Sequence, residues 1–200
     1  MELINSVINH NLEQQAQTLF TNMFPNIFTE STGTVEELIS FSNGKKRPNE
    51  VGHIPVYGGN GILAYTSVSN NKDCIIIGRV GAYCGSLYYS AQPCWVSDNA
   101  ISAKSKDDNS QLFSYYLLKN ASLPSRHIGT SQPLLTQGIL NAIPCSVPNK
   151  DSINKFNEIC ESLQAMIDNN SEENLNLSHL RDTLLPKFMS GEINVFDIDL

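Results

Sequence analysis

Two glycine-rich strings carry the side chains best suited to chemistry. Tyr57-Gly58-Gly59-Asn60-Gly61 and Ile75-Ile76-Ile77-Gly78-Arg79-Val80-Gly81 each follow a run of apolar, β-rich character with a loop holding Asn, Arg or Tyr. Glycine admits positive φ and lets a second backbone approach closely. Asn, Arg and Tyr hydrogen-bond to base edges and phosphates. The pattern predicts a β-framework whose loops read a polar polymer, and double-stranded DNA is the first candidate. Arg79 sits at a predicted strand end and is the residue type that reads guanine. Tyr57 and Tyr65 flank the first loop, where they read as base contacts or as sheet packing; Tyr83 lies in the second loop.

Further donors gather in two other loops. Lys45-Lys46-Arg47 follows Gly44 and suits phosphate contact with counterion release, or else a solvated turn. Ser125–Pro133 holds Arg126, His127, Thr130, Ser131 and Gln132 between apolar segments, as a donor-rich contact loop or an ordinary exposed one.

Other chemistries find little support. Gly59-Asn60-Gly61-Ile62-Leu63-Ala64 matches the dinucleotide fingerprint GxGxxA, but the pattern needs a following helix and Ile62–Val68 reads as a strand. The sequence has no P-loop and no nuclease-like carboxylate cluster. His10, His53, His127 and His179 are scattered. Cys74, Cys84, Cys94, Cys145 and Cys160 form no CxxC pair, so zinc is not expected and buried thiols in a reducing cytoplasm are. No catalytic constellation and no metal site are predicted.

The elements that must hold these loops follow from periodicity. Ile4, Ile8, Leu12, Ala16, Leu19 and Met23 step along one helical face over residues 3–24, and Pro25 stops the helix. Residues 27–109 are dense in turn residues, with strands predicted at 54–57, 62–68, 74–78, 86–90, 94–97 and 100–104. Ser110 caps a predicted helix through residue 120. Thr136–Asn141 reads as one helical turn before a strand at 142–147. A second long helix is predicted from 151 to 185 and ends at Pro186. Its seam runs through Ile153, Phe156, Cys160, Leu163, Ile167, Asn170, Asn174 and Leu177, continuing to Arg181 and Leu184. The two Asn read as a register device or as a frayed turn. Each long helix needs cover, from the other in antiparallel packing or from a second subunit.

Charge is divided in the same way. Formal net charge over the 200 residues is −7, yet residues 27–150 carry +2 while residues 1–26 carry −2 and residues 151–200 carry −7. The local field governs association with DNA, so acidic ends do not exclude it; they suit protein partners instead. Met1-Glu2-Leu3-Ile4-Asn5 lacks the basic region and long apolar run of a signal peptide, and no stretch reaches the roughly 20 apolar residues of a membrane span. A cytoplasmic location is expected.

Taken in order, several strings resemble the specificity subunit of type I restriction-modification systems. Asn11–Phe20 resembles the end of that family's helical region, and Ile54–Gly61 and Ile77–Gly81 resemble its target recognition domain. Gly129–Pro133 with Ile143-Pro144 resembles that domain's end, and Leu180-Arg181-Asp182-Thr183-Leu184-Leu185-Pro186-Lys187-Phe188-Met189-Ser190-Gly191-Glu192-Ile193 resembles the C-terminal signature. The resemblance implies an α+β fold: a mixed β-rich recognition domain flanked by long antiparallel coiled-coil helices. The implied division is a helix at 1–26, the recognition domain at 27–148 and the long helix with a tail at 149–200. It further implies a non-catalytic reader of double-stranded DNA that directs methyltransferase (modification) and restriction subunits. S-adenosylmethionine, ATP and Mg belong to those partners. The family's subunit carries two recognition domains, where this sequence shows one and so resembles a half-length form. A homodimer reading one half-site per chain is therefore expected. Two other classes stay open: a dimeric scaffold or inhibitor with a vestigial DNA surface, and a self-contained DNA-modifying enzyme.

Overall fold

The computed structural model describes residues 1–107, 111–129 and 132–192. Along the chain come α1 (Glu2–Met23), β1 (Gly33–Thr34), β2 (Ile39–Asn43), β3 (Ile54–Gly58), β4 (Gly61–Thr66), β5 (Cys74–Gly78), β6 (Leu87–Ser90) and β7 (Trp95–Val96). Then follow β8 (Ala100–Ser105), α2 (Gln111–Asn120), α3 (Gln137–Asn141), β9 (Pro144–Cys145) and α4 (Lys150–Ser190). The fold is mixed α+β with a long C-terminal helix, as the sequence predicts. Two compact units divide it: Phe20–Glu158, and Met1–Leu19 with the chain from Ile159.

The Phe20–Glu158 unit is the β-rich one. One sheet runs β2-β8-β5-β6, antiparallel throughout; a second runs β4-β3-β7, with β3 parallel to β7; β1 pairs with β9. All five residues of β5 are buried, as befits a β-branched run between two neighbouring strands. Phe20, Phe24, Phe113, Tyr116 and Phe156 interlock with ring centroids 5.1–6.3 Å apart. The predicted strands correspond to β3–β8, though β4 stops at Thr66 and β7 is two residues long. β1 and β2 are additions. Ile39-Ser40-Phe41-Ser42-Asn43 has too few apolar residues to read as a strand; it is held by five register pairs to β8. The predicted strand at 142–147 contracts to β9.

Capping explains the short helices. Thr136 Oγ1 accepts from the Ile139 N–H at 3.3 Å, so α3 starts where predicted. The predicted cap Ser110 lies outside the described residues. α2 receives a tertiary cap: buried Asn157 accepts the Phe113 N–H at 2.9 Å through Oδ1. All five cysteines are buried free thiols, and Cys74 Sγ lies 3.6 Å from Cys94 Sγ. Among the described residues, no group of His, Cys, Asp or Glu is placed to hold a metal, and no helix is long and apolar enough to cross a membrane.

In the other unit α1 and α4 run antiparallel, joined by a polar ladder. Asn5 Nδ2 donates to Glu173 Oε2 at 2.8 Å and to Asn174 Oδ1 at 3.1 Å. Asn170 Nδ2 donates to Asn9 Oδ1 at 2.7 Å, and Asn9 Nδ2 donates to Ser171 Oγ at 3.2 Å. Ser178 Oγ donates to Glu2 at 2.9 Å, and Arg181 lies 3.3 Å from the same carboxylate. Asn170 and Asn174 of the seam are thus matched by Asn9 and Asn5 of α1. This corrects the predicted α1 stripe. Leu12 and Ala16 are buried, but Ile4 and Ile8 face outward while Asn5 is only 5% exposed. Amide pairing across the helices selects the buried face near the N-terminus. A second correction concerns Pro186, which lies inside α4 rather than ending it. Its missing N–H leaves the Asp182 carbonyl without its i+4 donor, on an exposed turn.

Candidate nucleic-acid interface

Four loops of the β-rich unit converge, and backbone hydrogen bonds join them. The β3–β4 turn comes first. Gly61 adopts φ +81° and closes the turn against Gly58. Ser86 Oγ donates to the Gly59 carbonyl, and the Gly78 and Gly85 backbones bond to Ser86 and Gly78 at 2.9 and 2.8 Å. These contacts tie the Asn60 turn to the Gly78–Tyr83 loop. A Cβ on Gly59 would meet Tyr83 at 3.4 Å and the Gly78 Cα at 3.5 Å.

The Arg79 loop is held from two sides. Arg79 N–H donates to the Asn99 carbonyl at 3.0 Å, and its own carbonyl accepts from the Leu135 N–H at 2.9 Å. Gly81 N–H donates to the Pro133 carbonyl at 3.0 Å, and Val80 and Ile128 both bridge to Leu134. Pro133 and Leu134 therefore dock on the Arg79 loop and carry Ile128 with them. Lys45 joins through β7: its N–H donates to the Val96 carbonyl at 3.0 Å and its carbonyl accepts from Trp95 Nε1 at 3.2 Å. Ser97 N–H in turn donates to the Tyr57 carbonyl at 2.9 Å.

The structure thus gathers Lys45, Gly58, Gly59, Asn60, Gly61, Arg79 and Tyr83 into one connected loop set, with Gln132 next to Pro133 and His127 next to Ile128 at its edge, while Arg126 donates its Nε to the Ala121 carbonyl. Lys46 and Arg47 continue from Lys45 as exposed residues. Thr130 and Ser131 lie outside the described residues. Tyr57 turns toward packing: its ring is 6.2 Å from that of Tyr88, and burial pushes its phenol pKa up. Tyr65 pairs with Pro55, at the other end of the hairpin from the turn. Sequence reasoning missed the hub, Ser97-Asp98-Asn99, which touches three of the four loops. Its signal was the Asp98-Asn99 pair between two predicted strands.

Three polar atoms in this region are buried without a hydrogen-bond partner among the described residues: Arg79 Nε, Ser97 Oγ and His127 Nδ1. Such atoms are costly unless something else satisfies them. Between Glu50 and Asp98 the sole carboxylate is Asp73, which accepts the Tyr89 hydroxyl at 2.7 Å. The surface built from these strands thus carries little charge that would repel a polyanion.

Comparison with known proteins accords with this geometry. The profile of the family described as type I restriction modification DNA specificity domain matches residues 32–178. The crystal structure of the type I restriction-modification S subunit from M. genitalium aligns with a TM-score of 0.62 at 21% identity, over 93% of this chain and 58% of that one. The HsdS subunit from Thermoanaerobacter tengcongensis aligns with a TM-score of 0.50 at 14% identity, over 95% of this chain and 54% of that one. At these identities the likeness is one of fold, and the chain spans little more than half the length of either relative. No curated protein matches. The profile match covers well over half of the chain, which belongs to the type I restriction modification DNA specificity domain family.

Proposed function

We propose that this chain reads double-stranded DNA as the non-catalytic specificity component of a type I restriction-modification complex. The face presented to DNA is the joined loop set at 44–47, 58–61, 78–83 and 126–132. The observation that carries the reading is the joining of the turn that bears exposed Asn60 to the loop that bears Arg79, within a domain of this family. Asn and Arg side chains on such loops hydrogen-bond to base edges and phosphates. Lys45, Lys46 and Arg47 would fix the duplex by phosphate contact.

The recognition domain in this reading spans residues 27–148, and the helices at 1–26 and from 149 serve protein partners. One chain reads one half-site. The helical unit pairs with a second copy and receives methyltransferase subunits, through which restriction subunits join. What favours pairing is an outward apolar face on α1, where Leu3, Ile4, Val7 and Ile8 are 79%, 57%, 64% and 41% exposed.

Selection from a random duplex pool at low salt tests the central claim. An enriched sequence, bound more tightly than the starting pool and with a steep salt dependence, is expected. Retention of all duplexes alike, or of none, rejects sequence reading by this chain.

A further inference from the structure

The β3–β4 turn carries more than polar donors. Its register slips: Val56 pairs with Ala64 but Tyr57 pairs with Ile62, so Leu63 is the extra residue of a β-bulge. A bulge interrupts the alternation of side chains and re-aims them. Two consecutive aliphatic residues, Ile62 and Leu63, are each 48% exposed on an edge strand. Leu63 leans over the turn itself, since a Cβ on Gly58 would stand 2.4 Å from its Cδ1. The aliphatic pair therefore sits beside exposed Asn60.

In the major groove adenine offers an N7 acceptor and an N6 amino donor, which one Asn amide meets with both of its atoms. Thymine offers a C5-methyl group, which aliphatic side chains cover. A G·C pair lacks the methyl group and sets two acceptors, N7 and O6, side by side on guanine where adenine sets an acceptor beside a donor. Asn60, Ile62 and Leu63 hold both halves of an A·T reader within four residues, at the turn and outer strand of the β4-β3-β7 sheet.

We infer that this hairpin turn reads A·T pairs of the target from the major groove, with Asn60 on adenine and Ile62 and Leu63 against thymine methyl groups. The inference rests on the DNA-recognition reading above and names the bases that one loop reads. It also gives the half-exposed aliphatic pair an apolar surface to bury.

The test uses the duplex that the wild-type chain enriches, resynthesised with uracil for thymine or with 7-deazaadenine for adenine. Uracil removes only the methyl group; 7-deazaadenine removes only N7. Affinity is expected to fall about fourfold per contacted methyl and at least about fivefold for the lost N7 contact. The double variant Ile62→Ser/Leu63→Ser should lose the uracil effect and keep the 7-deaza effect, and Asn60→Ala should do the reverse. If wild-type protein binds both modified duplexes as tightly as the natural one, the inference falls while DNA reading stands, and the aliphatic pair is left to a protein partner. If no duplex is enriched, the DNA reading fails first. The wild-type comparison decides even where a variant does not fold. A uracil effect that persists in a folded Ile62→Ser/Leu63→Ser protein likewise overturns the assignment.

Discussion

Gly59 and Gly78 meet backbone to backbone: a Cβ added to Gly78 would stand 3.1 Å from the Gly59 Cα and 2.1 Å from the Tyr83 carbonyl oxygen. The two loops that carry Asn60 and Arg79 share this crossing, so a side chain there forces both apart. Gly78→Ala should cost about 3 kcal/mol of stability, the upper range for overpacking, and weaken DNA binding as well. Gly81 serves as the comparison, with φ +69° and nothing within 4 Å of an added Cβ. Gly81→Ala should cost only about 1 kcal/mol, from left-handed backbone strain. Urea denaturation of both variants decides, and equal losses would remove the close-approach account.

Arg79→Ala should weaken binding to the enriched target more than binding to random duplex. Its backbone is fixed by Asn99 and Leu135, which aims one side chain at one place. A base contact is worth about 1–3 kcal/mol of discrimination. Lys46→Ala should lower affinity alike for all sequences and reduce the salt slope by about one. Parallel titrations over a salt series read both effects. A uniform loss for Arg79→Ala would reassign it to phosphate.

The Asn9–Asn170 contact predicts a coupling. Either Asn→Leu change alone leaves the other amide without its partner and should cost about 1–2 kcal/mol. The double change should cost less than the sum, because no unpaired amide remains. Thermal unfolding of the four proteins completes the cycle. Strict additivity would show that the 2.7 Å contact does not hold the helices in register.

How much of this was legible in the sequence depends on where each signal is stored. The Gly58–Gly61 and Gly78–Gly81 strings pointed to loops because glycine announces a backbone need locally. That the two strings touch is a tertiary fact, written in no single window. The helix of α4 was legible because heptad spacing survives in one helix read alone, and Ile153, Phe156, Cys160 and Ile167 are buried along it. The face of α1 was not, because Ile4 and Ile8 form a better apolar stripe than Asn5 and Asn9. Only the amides of Asn170 and Asn174 on the opposing helix reverse that choice. β2 was missed for a related reason: its partner β8 supplies the apolar content that Ile39–Asn43 lacks. Tyr57 could be placed on a strand, but which side of the sheet its ring would meet was set by Tyr88.

Two buried thiols predict a loss of stability in alkali. Burial pushes Cys160 from an ordinary 9.0 up to about 12, and burial with the Glu37 carboxylate pushes Cys145 up to about 11. The folded chain thus holds these protons more tightly than the unfolded one. Their contribution is full below pH 9 and is lost as pH rises from 9 through 11 and 12. At pH 10 each thiol should forfeit on the order of 1 kcal/mol. Urea midpoints at pH 8 and pH 10 measure the drop, which should shrink in Cys145→Ala and in Cys160→Ala even though each variant starts less stable. An unchanged drop would place the alkaline loss in other groups.

The last prediction joins assembly to target symmetry. Ile153, Phe156, Cys160 and Ile167 of the α4 seam are buried within the chain, which favours another face for the pairing of two copies. The exposed Leu3, Ile4, Val7 and Ile8 of α1 provide it. A closed pair of identical chains has a two-fold axis, and the same patch meets itself. Ile4→Asp with Val7→Asp should yield a monomer by light scattering, with far-ultraviolet dichroism unchanged because both positions are exposed. Each copy in the pair presents the same recognition domain, so the axis imposes an inverted repeat on the DNA. Protein symmetry and operator symmetry are linked in this way in other dimeric readers. The duplex enriched by the wild-type chain should therefore be an interrupted palindrome, and the Ile4→Asp/Val7→Asp monomer should enrich one half-site only. A wild-type monomer at tens of micromolar, or an asymmetric enriched target, would end the homodimer mechanism while leaving DNA recognition by the loop face in place.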